Sequence, residues 1–198
     1  MSGTLIDLIR HGEPIGGQKY RGQMDDPLSE KGWRQMRDKL ADHSPWQGVI
    51  SSPLSRCRAF AEELSSRHHL PLAIDDRLKE VGFGIWEGKT AAQLIEEDPD
   101  QVRRFRADPV NERPVGAEPM KAFYQRVAAG LDEIIERYQR KHVLIVCHAG
   151  VIRMALAHTL HIPLINAYRI EVVNAALTRI AVDLNGNVRL VFHNGRLG

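Results

Sequence analysis

Two apolar runs in this sequence of 198 residues end in histidine: "TLIDLIRHG" (4–12) and "HVLIVCHAG" (142–150). Arginine and histidine are costly to bury without partners. Here they stand where a strand of a parallel sheet hands its groups to the crevice beyond its carboxyl end. A third apolar run, "GVIS" (48–51), leads into "SPLSRCRAF", which puts Arg56 in the first turn of an expected helix. Arg10, Arg56, His11 and His148 thus supply two guanidinium groups and two imidazoles, a donor set suited to a phosphoryl dianion. The helix expected after His148 would add free backbone N–H groups from about Ala149 onward. If an alkoxide leaves phosphorus, a proton donor is needed too. The stretch "RLKEVGFGIWEG" (77–88) offers Glu80 and Glu87. Glu80 is preferred because it follows the short apolar run "LAI" (72–74) by a few residues.

These groups need strands and helices to hold them. Apolar, β-branched-rich runs at 4–9, 48–51, 72–74, 142–147, 169–173, 177–182 and 188–193 predict strands. Between the early runs, Trp33, Met36 and Leu40 share one helical face, and Cys57, Phe60, Ala61 and Leu64 share another. Phe123, Val127, Leu131, Ile134, Ile135 and Tyr138 form the longest stripe. Strands alternating with helices predict an α/β fold, a three-layer αβα sandwich around a mostly parallel sheet. "LNGN" (184–187) between two strand-like runs predicts a hairpin, hence an antiparallel edge. Ser52 before Pro53 predicts an N-cap with proline at the first helical position, and Thr90 with Gln93 predicts a capping box. The polar segment from Glu97 to Met120, with four prolines, predicts loops and short helices able to cap a site.

Composition narrows the classes further. A 43% hydrophobic chain of this length predicts one globular domain, residues 1–198. Its 27 basic and 25 acidic residues leave a formal charge of +2, so no global field points to nucleic acid or an anionic membrane, and any anion site is local. No signal-peptide pattern or membrane-length apolar run is present, which predicts a cytoplasmic protein. Cys57 and Cys147, far apart in apolar contexts, read as reduced buried thiols. His68, His69, His158 and His161 lack a completing carboxylate or cysteine set, so neither a metal nor another cofactor is expected. Trp33, Trp46 and Trp86 read as packing residues, with Trp86 close enough to the acidic stretch to line a pocket.

Four motifs in order, "RHG" (10–12), "SSPLSRC" (51–57), "KEVGFGIWEG" (79–88) and "CHAG" (147–150), resemble those of the histidine phosphatase superfamily, also called the phosphoglycerate mutase-like family. The resemblance spans nearly the whole chain and implies a phosphoglycerate mutase-like fold. It implies that His11 becomes phosphohistidine, that Arg10, Arg56 and His148 hold the phosphoryl oxygens, and that Glu80 is the proton donor. "KYRGQ" (19–23) resembles the family's glycine-containing segment before its first helix, which brings Arg21 and Gly22 to the pocket mouth. Two departures stand out. Pro14 occupies a place where members often carry threonine or serine, and Gly16 and Gly17 lie where mutases carry asparagine. The family's glycine-glycine-glutamate-serine stretch is matched in "VGAEPM" (115–120) by Glu118, which is left as possible site lining. Mutases resemble one another in a longer insertion before the second histidine and in a functional C-terminal tail. This sequence is compact there and finishes with "VFHNGRLG" (191–198). The expected activity is therefore metal-independent phosphomonoester hydrolysis on a small phosphorylated metabolite. "SSPLSRCRAFAEEL" and "EVGFGIWEG" are most similar to the α-ribazole phosphatase branch, which implies α-ribazole 5′-phosphate in cobalamin nucleotide-loop assembly. Sugar phosphatases, nucleotide phosphatases, a phosphoglycerate mutase and a noncatalytic phosphate-binding module are the alternatives, and a homodimer is among the expected states.

Overall fold

The computed structural model describes residues 3–197, so residues 1, 2 and 198 of the expected domain lie outside the described residues. Strands β1 (Thr4–Arg10), β2 (Val49–Ser51), β3 (Leu72–Ile74), β4 (His142–Cys147), β5 (Leu177–Val182) and β6 (Val188–Gly195) form one sheet in the order β3-β2-β4-β1-β5-β6. β4 lies parallel between β1 and β2, and β3 runs parallel to β2. β5 is antiparallel to both β1 and β6. The mixed αβα architecture with an antiparallel edge is therefore present.

Side chains alternate faces along a strand, and β1 shows what this does. Ile6 and Leu8 enter one core with Phe123, Val127 and Leu131 of α5 (Met120–Arg137) and Ile152 of α6 (Ala149–Thr159). Ile9 enters the opposite core with Met36 and Leu40 of α1 (Glu30–Leu40) and Phe60 and Leu64 of α2 (Ser55–His68). Asp7 is fully buried. Arg179, its register partner on β5, donates to it at 2.7 and 2.9 Å. Trp46 Nε1 donates at 2.9 Å, and His142 Nε2 lies 2.8 Å away. Burial alone would raise the Asp7 pKa, but hydrogen bonds from Arg179, His142 and Trp46 hold it below the usual carboxylate range. Trp46 thus does more than pack. Asp7→Ala strips the partner from the Arg179 guanidinium, and urea denaturation should show a loss of about 3 kcal/mol.

Local signals fared unevenly, for identifiable reasons. Thr90 and Gln93 do form a capping box, opening α3 (Ala91–Glu97). The 184–187 turn joins β5 to β6, with Asp183 Oδ1 accepting from the Asn185 and Asn187 N–H groups. The expected strand at 169–173 is absent. A 3₁₀ turn spans Leu164–Arg169, and the Ile170 and Val172 carbonyls accept from Arg153 and Arg10 rather than from a neighbouring strand. The expected cap at Ser52 also fails: α2 begins at Ser55, with extended Leu54 as N-cap. The 97–120 segment folds partly as α4 (Gln101–Ala107), and Phe105 and Arg106 from it wall the site. Among the described residues no helix is long and apolar enough to cross a membrane.

Candidate active site

Because β4 pairs in parallel with β1, the carboxyl ends of the two strands are side by side. Arg10 registers with Cys147, and the His11 N–H donates to the Cys147 carbonyl at 2.9 Å. The following residues, His11 and His148, consequently meet edge to face with ring centroids 5.2 Å apart. β2 flanks β4 on the other side and delivers Ser52, whose N–H donates to the Val146 carbonyl at 3.0 Å. Ser52 Oγ then lies 2.7 Å from His148 Nε2. Ser52 Oγ also accepts from Leu54 N at 3.3 Å, but it does not cap α2.

His11 Nδ1 is 2.7 Å from the Gly12 carbonyl, which can only accept. Nδ1 therefore carries the proton, and Nε2 keeps its lone pair. Gly12 itself packs so closely on Gly32 of α1 that no side chain fits there. A cavity of about 380 Å³ opens over His11, lined also by Arg10, Arg21, Gly22, Arg56, Glu80 and Gly150. Arg56 is 1% exposed and donates to the Met24 and Gly22 carbonyls at 2.7 and 2.9 Å. Arg10 donates to the Val172 carbonyl. The Nε atoms of Arg10 and Arg56 are buried without partners, a cost that an anion would relieve. Burial, with Arg153, Arg56 and Arg21 nearby, pushes Arg10 down to about 10 against the pull of Glu80, so it remains a cation at neutral pH.

Glu80 reaches the cavity from its far side. Its Oε1 accepts from Val81 N at 2.9 Å and its Oε2 from Gly150 N at 3.1 Å. A side chain at position 150 would collide with this carboxyl, so the glycine of "CHAG" is what admits it. The expectation that Ala149 offers its N–H to an anion is corrected in part. Gly150 is on the cavity wall, Ala149 and the fully buried His148 are not, and the Gly150 N–H is already given to Glu80. Pro14 forms a bridge to Leu28, and Arg21 Nη2 gathers the Ile15 and Gly17 carbonyls at 2.7 and 2.6 Å. The segment lacking hydroxyl and amide side chains is therefore curled onto an arginine of the cavity wall.

Both histidines stay neutral far below the ordinary value of 6.5, first because they are buried and then because Arg10 and Arg56 stand beside them. An unfolded chain would protonate them as pH falls through about 6.5, whereas the folded one would not. Stability is thus whole above that value and declines below it. These two groups should bring the slope toward about 3 kcal/mol per pH unit near pH 5. Denaturant midpoints measured between pH 8 and 5 check this, and a midpoint that stays flat contradicts it.

A bare imidazole nitrogen facing unpaired arginine donors, with a carboxyl opposite, is equipped for transfer of a phosphoryl group. The sequence profile of the histidine phosphatase superfamily (branch 1) matches residues 6–194. The chain belongs to that superfamily. It is 34% identical over 201 residues to a bifunctional protein of Mycobacterium tuberculosis, covering 98% of this chain and 55% of the relative. The chain thus spans about half the length of that relative. It is 31% identical over 170 residues to the adenosylcobalamin/α-ribazole phosphatase of Salmonella typhimurium, covering 83% of this chain and 84% of that protein. The structure of a mycobacterial glucosyl-3-phosphoglycerate phosphatase complexed with VO3 matches with a TM-score of 0.86 at 27% identity, covering 96% of this chain and 98% of that one.

In this superfamily member the second acidic candidate has a different task. Glu87 Oε1 accepts from Phe83 N and Gln23 N, tying two loops together, and Glu87 itself is not on the cavity wall. Trp86 packs as expected, 3% exposed and donating to Gln101, and is not on the cavity wall. Glu118, left without a task by sequence, pairs with Arg126 at 2.7 and 2.8 Å and accepts from Gly82 N. Arg126 in turn donates to the carbonyls of Arg77, Lys79 and Glu80. The pair clamps the loop that carries Glu80. Burial pushes the Cys57 and Cys147 thiols up, so both stay protonated. His158 bonds Asp132 and Tyr124, and no metal-holding group of histidine, cysteine or carboxylate side chains occurs among the described residues. Sequence reasoning missed Arg106, Arg153, Tyr20, Phe105 and Tyr168 on the cavity wall. Arg153, five residues after His148 on the same helix, was the one with a readable signal.

Proposed function

We propose that this chain is a phosphomonoesterase that works without metal through a phosphohistidine. The observation that carries the reading is His11 with a bare Nε2 beside buried arginine donors that have no partner. In the first step Nε2 attacks phosphorus while Arg10 and Arg56, with Arg21 and Gly22 at the mouth, bind the three equatorial oxygens, and His148 turns its Nε2 from Ser52 to join them. Glu80 gives its proton to the departing alkoxide. In the second step the Glu80 carboxylate takes a proton from water, which displaces His11 and releases phosphate. Hydrolysis of p-nitrophenyl phosphate in excess EDTA, with inhibition by vanadate, tests the reading. Activity that requires an added divalent metal would overturn it.

The finer reading, α-ribazole 5′-phosphate as substrate, is supported by the motif resemblance and by the Salmonella relative. The mycobacterial structure brings a second class, esters whose alcohol carries a further acid. The leaving-group end of the cavity bears on the choice between them.

The Glu118–Arg126 clamp makes a separate forecast. Glu118→Gln frees Arg126 and Gly82 from one another and lets the Glu80 loop drift. We expect kcat on an alkyl phosphate to fall by about tenfold or more with KM nearly unchanged. The aryl ester should be less affected, because p-nitrophenolate leaves without a proton. Equal losses on both esters would instead indicate general loosening of the fold.

A further inference from the structure

The cavity holds more positive charge than one phosphoryl group can use. Half-buried Arg10 and buried Arg56 form its floor, and Lys19 and Arg21 share Asp26 at 2.8 and 2.9 Å. Glu80 is the one carboxylate on the wall. Arg106 and Arg153 remain, and neither has a carboxylate partner among the described residues. Arg153 is aimed rather than free, since its Nε donates to the Ile170 carbonyl at 2.9 Å and its guanidinium lies 4.9 Å over the Tyr168 ring. Arg106 projects from α4 at the rim, where the cavity continues into a hollow of about 190 Å³ that shares Lys19, Tyr20 and Arg106. Tyr20, Phe83, Phe105 and Tyr168 make the intervening walls apolar, which strengthens the field of the two cations on anything between them.

A phosphoryl dianion bound to Arg10 and Arg56 leaves these two charges unmatched. We propose that the alcohol released from the ester carries a second anionic group, a carboxylate or a further phosphate, which Arg106 and Arg153 bind. The inference rests on the phosphatase reading above and narrows it. Substrates with an uncharged alcohol, the nucleoside of α-ribazole 5′-phosphate among them, would leave both arginines idle.

Matched esters that differ only in the second charge test the idea. The full chain is assayed on 3-phosphoglycerate against glycerol 3-phosphate for a carboxylate, and on fructose 1,6-bisphosphate against fructose 6-phosphate for a second phosphate. α-Ribazole 5′-phosphate serves as the uncharged nucleoside ester. We expect kcat/KM for the acidic member of at least one pair to be about tenfold higher or more, and the preference to shrink at high salt as screening demands. Arg106→Gln should lower that ratio, and Arg106→Glu should lower it further. Arg103→Gln, on the same helix but paired with Asp100 and off the cavity wall, should keep it. Arg153→Lys keeps the charge but loses the flat guanidinium over Tyr168, so it should fall between wild type and Arg153→Gln. Equal kcat/KM within both pairs, or a ratio untouched by every Arg106 and Arg153 variant, overturns the inference while leaving the phosphatase reading intact. Absence of p-nitrophenyl phosphate hydrolysis by the wild-type protein overturns the phosphatase reading itself.

Discussion

His11→Ala is expected to abolish turnover of every phosphate ester, with kcat/KM falling by at least about 10⁴-fold, equivalent to about 5.5 kcal/mol of transition-state stabilisation. The size follows from what no neighbour can supply. His148, the imidazole packed edge to face on His11, is fully buried off the cavity wall and holds its Nε2 against Ser52 Oγ at 2.7 Å. It is therefore not placed as a spare nucleophile. Cys57 lies 3.6 Å from the same nitrogen but is buried and protonated. The depressed His11 pKa adds a second expectation. Because burial and the adjacent arginines keep Nε2 unprotonated well below 6.5, activity should not fall as pH drops through the ordinary histidine range. Quenching the enzyme turning over a ³²P-labelled ester in alkaline SDS should retain label on the protein, and later acidification should release it, as expected of alkali-stable, acid-labile phosphohistidine. No label should appear on His11→Ala. Label that survives in the variant, or unchanged turnover by it, would rule out His11 as the attacking group.

Much of this site was legible in the sequence because the four motifs are local. A strand end, a short turn and a helix start each place their polar residues by backbone geometry alone. The meeting of the motifs was expected from the rule that ligands sit beyond strand carboxyl ends and from the family resemblance, but the strand order that produces it was not legible. That order depends on β4 entering the sheet between β1 and β2, a long-range pairing that no residue near Arg10 or Ser51 encodes. The failures have the same origin. The run at 169–173 has strand-like composition, but Arg10 and Arg153 take its carbonyls, so no partner strand can form there. Ser52 looked like a cap because a proline follows it, whereas its hydroxyl is drawn to a histidine 96 positions away. Asp7 in the middle of an apolar strand gave no hint that Arg179, His142 and Trp46 would converge on it. The cavity rim was legible only as a segment: the 97–120 stretch was expected to cap a site, but which of its four arginines reaches the cavity depends on how α4 docks, and that is Arg106.

Glu80→Gln should separate esters by their leaving groups. For an alkyl phosphate, kcat is expected to fall by about 10²–10⁴-fold, the contribution of a positioned general acid. For p-nitrophenyl phosphate, whose phenolate is a weak base and departs unaided, the first step should be nearly spared. The substitution also disturbs local structure. Both carboxylate oxygens accept a backbone N–H, from Val81 at 2.9 Å and from Gly150 at 3.1 Å, whereas glutamine has one acceptor and must turn its amide nitrogen toward one of those donors. A displaced loop would harm both esters alike, so the ratio between them isolates proton donation from position. The second step offers an independent check, because Glu80 is proposed to serve there as base toward water. With the aryl ester the variant should show a burst of p-nitrophenol followed by slow turnover, as phosphohistidine accumulates for want of a base. Equal losses on alkyl and aryl esters without a burst would leave Glu80 a structural prop between Val81 and α6, and the donor would have to come from elsewhere on the wall, with Tyr168 the first group to test.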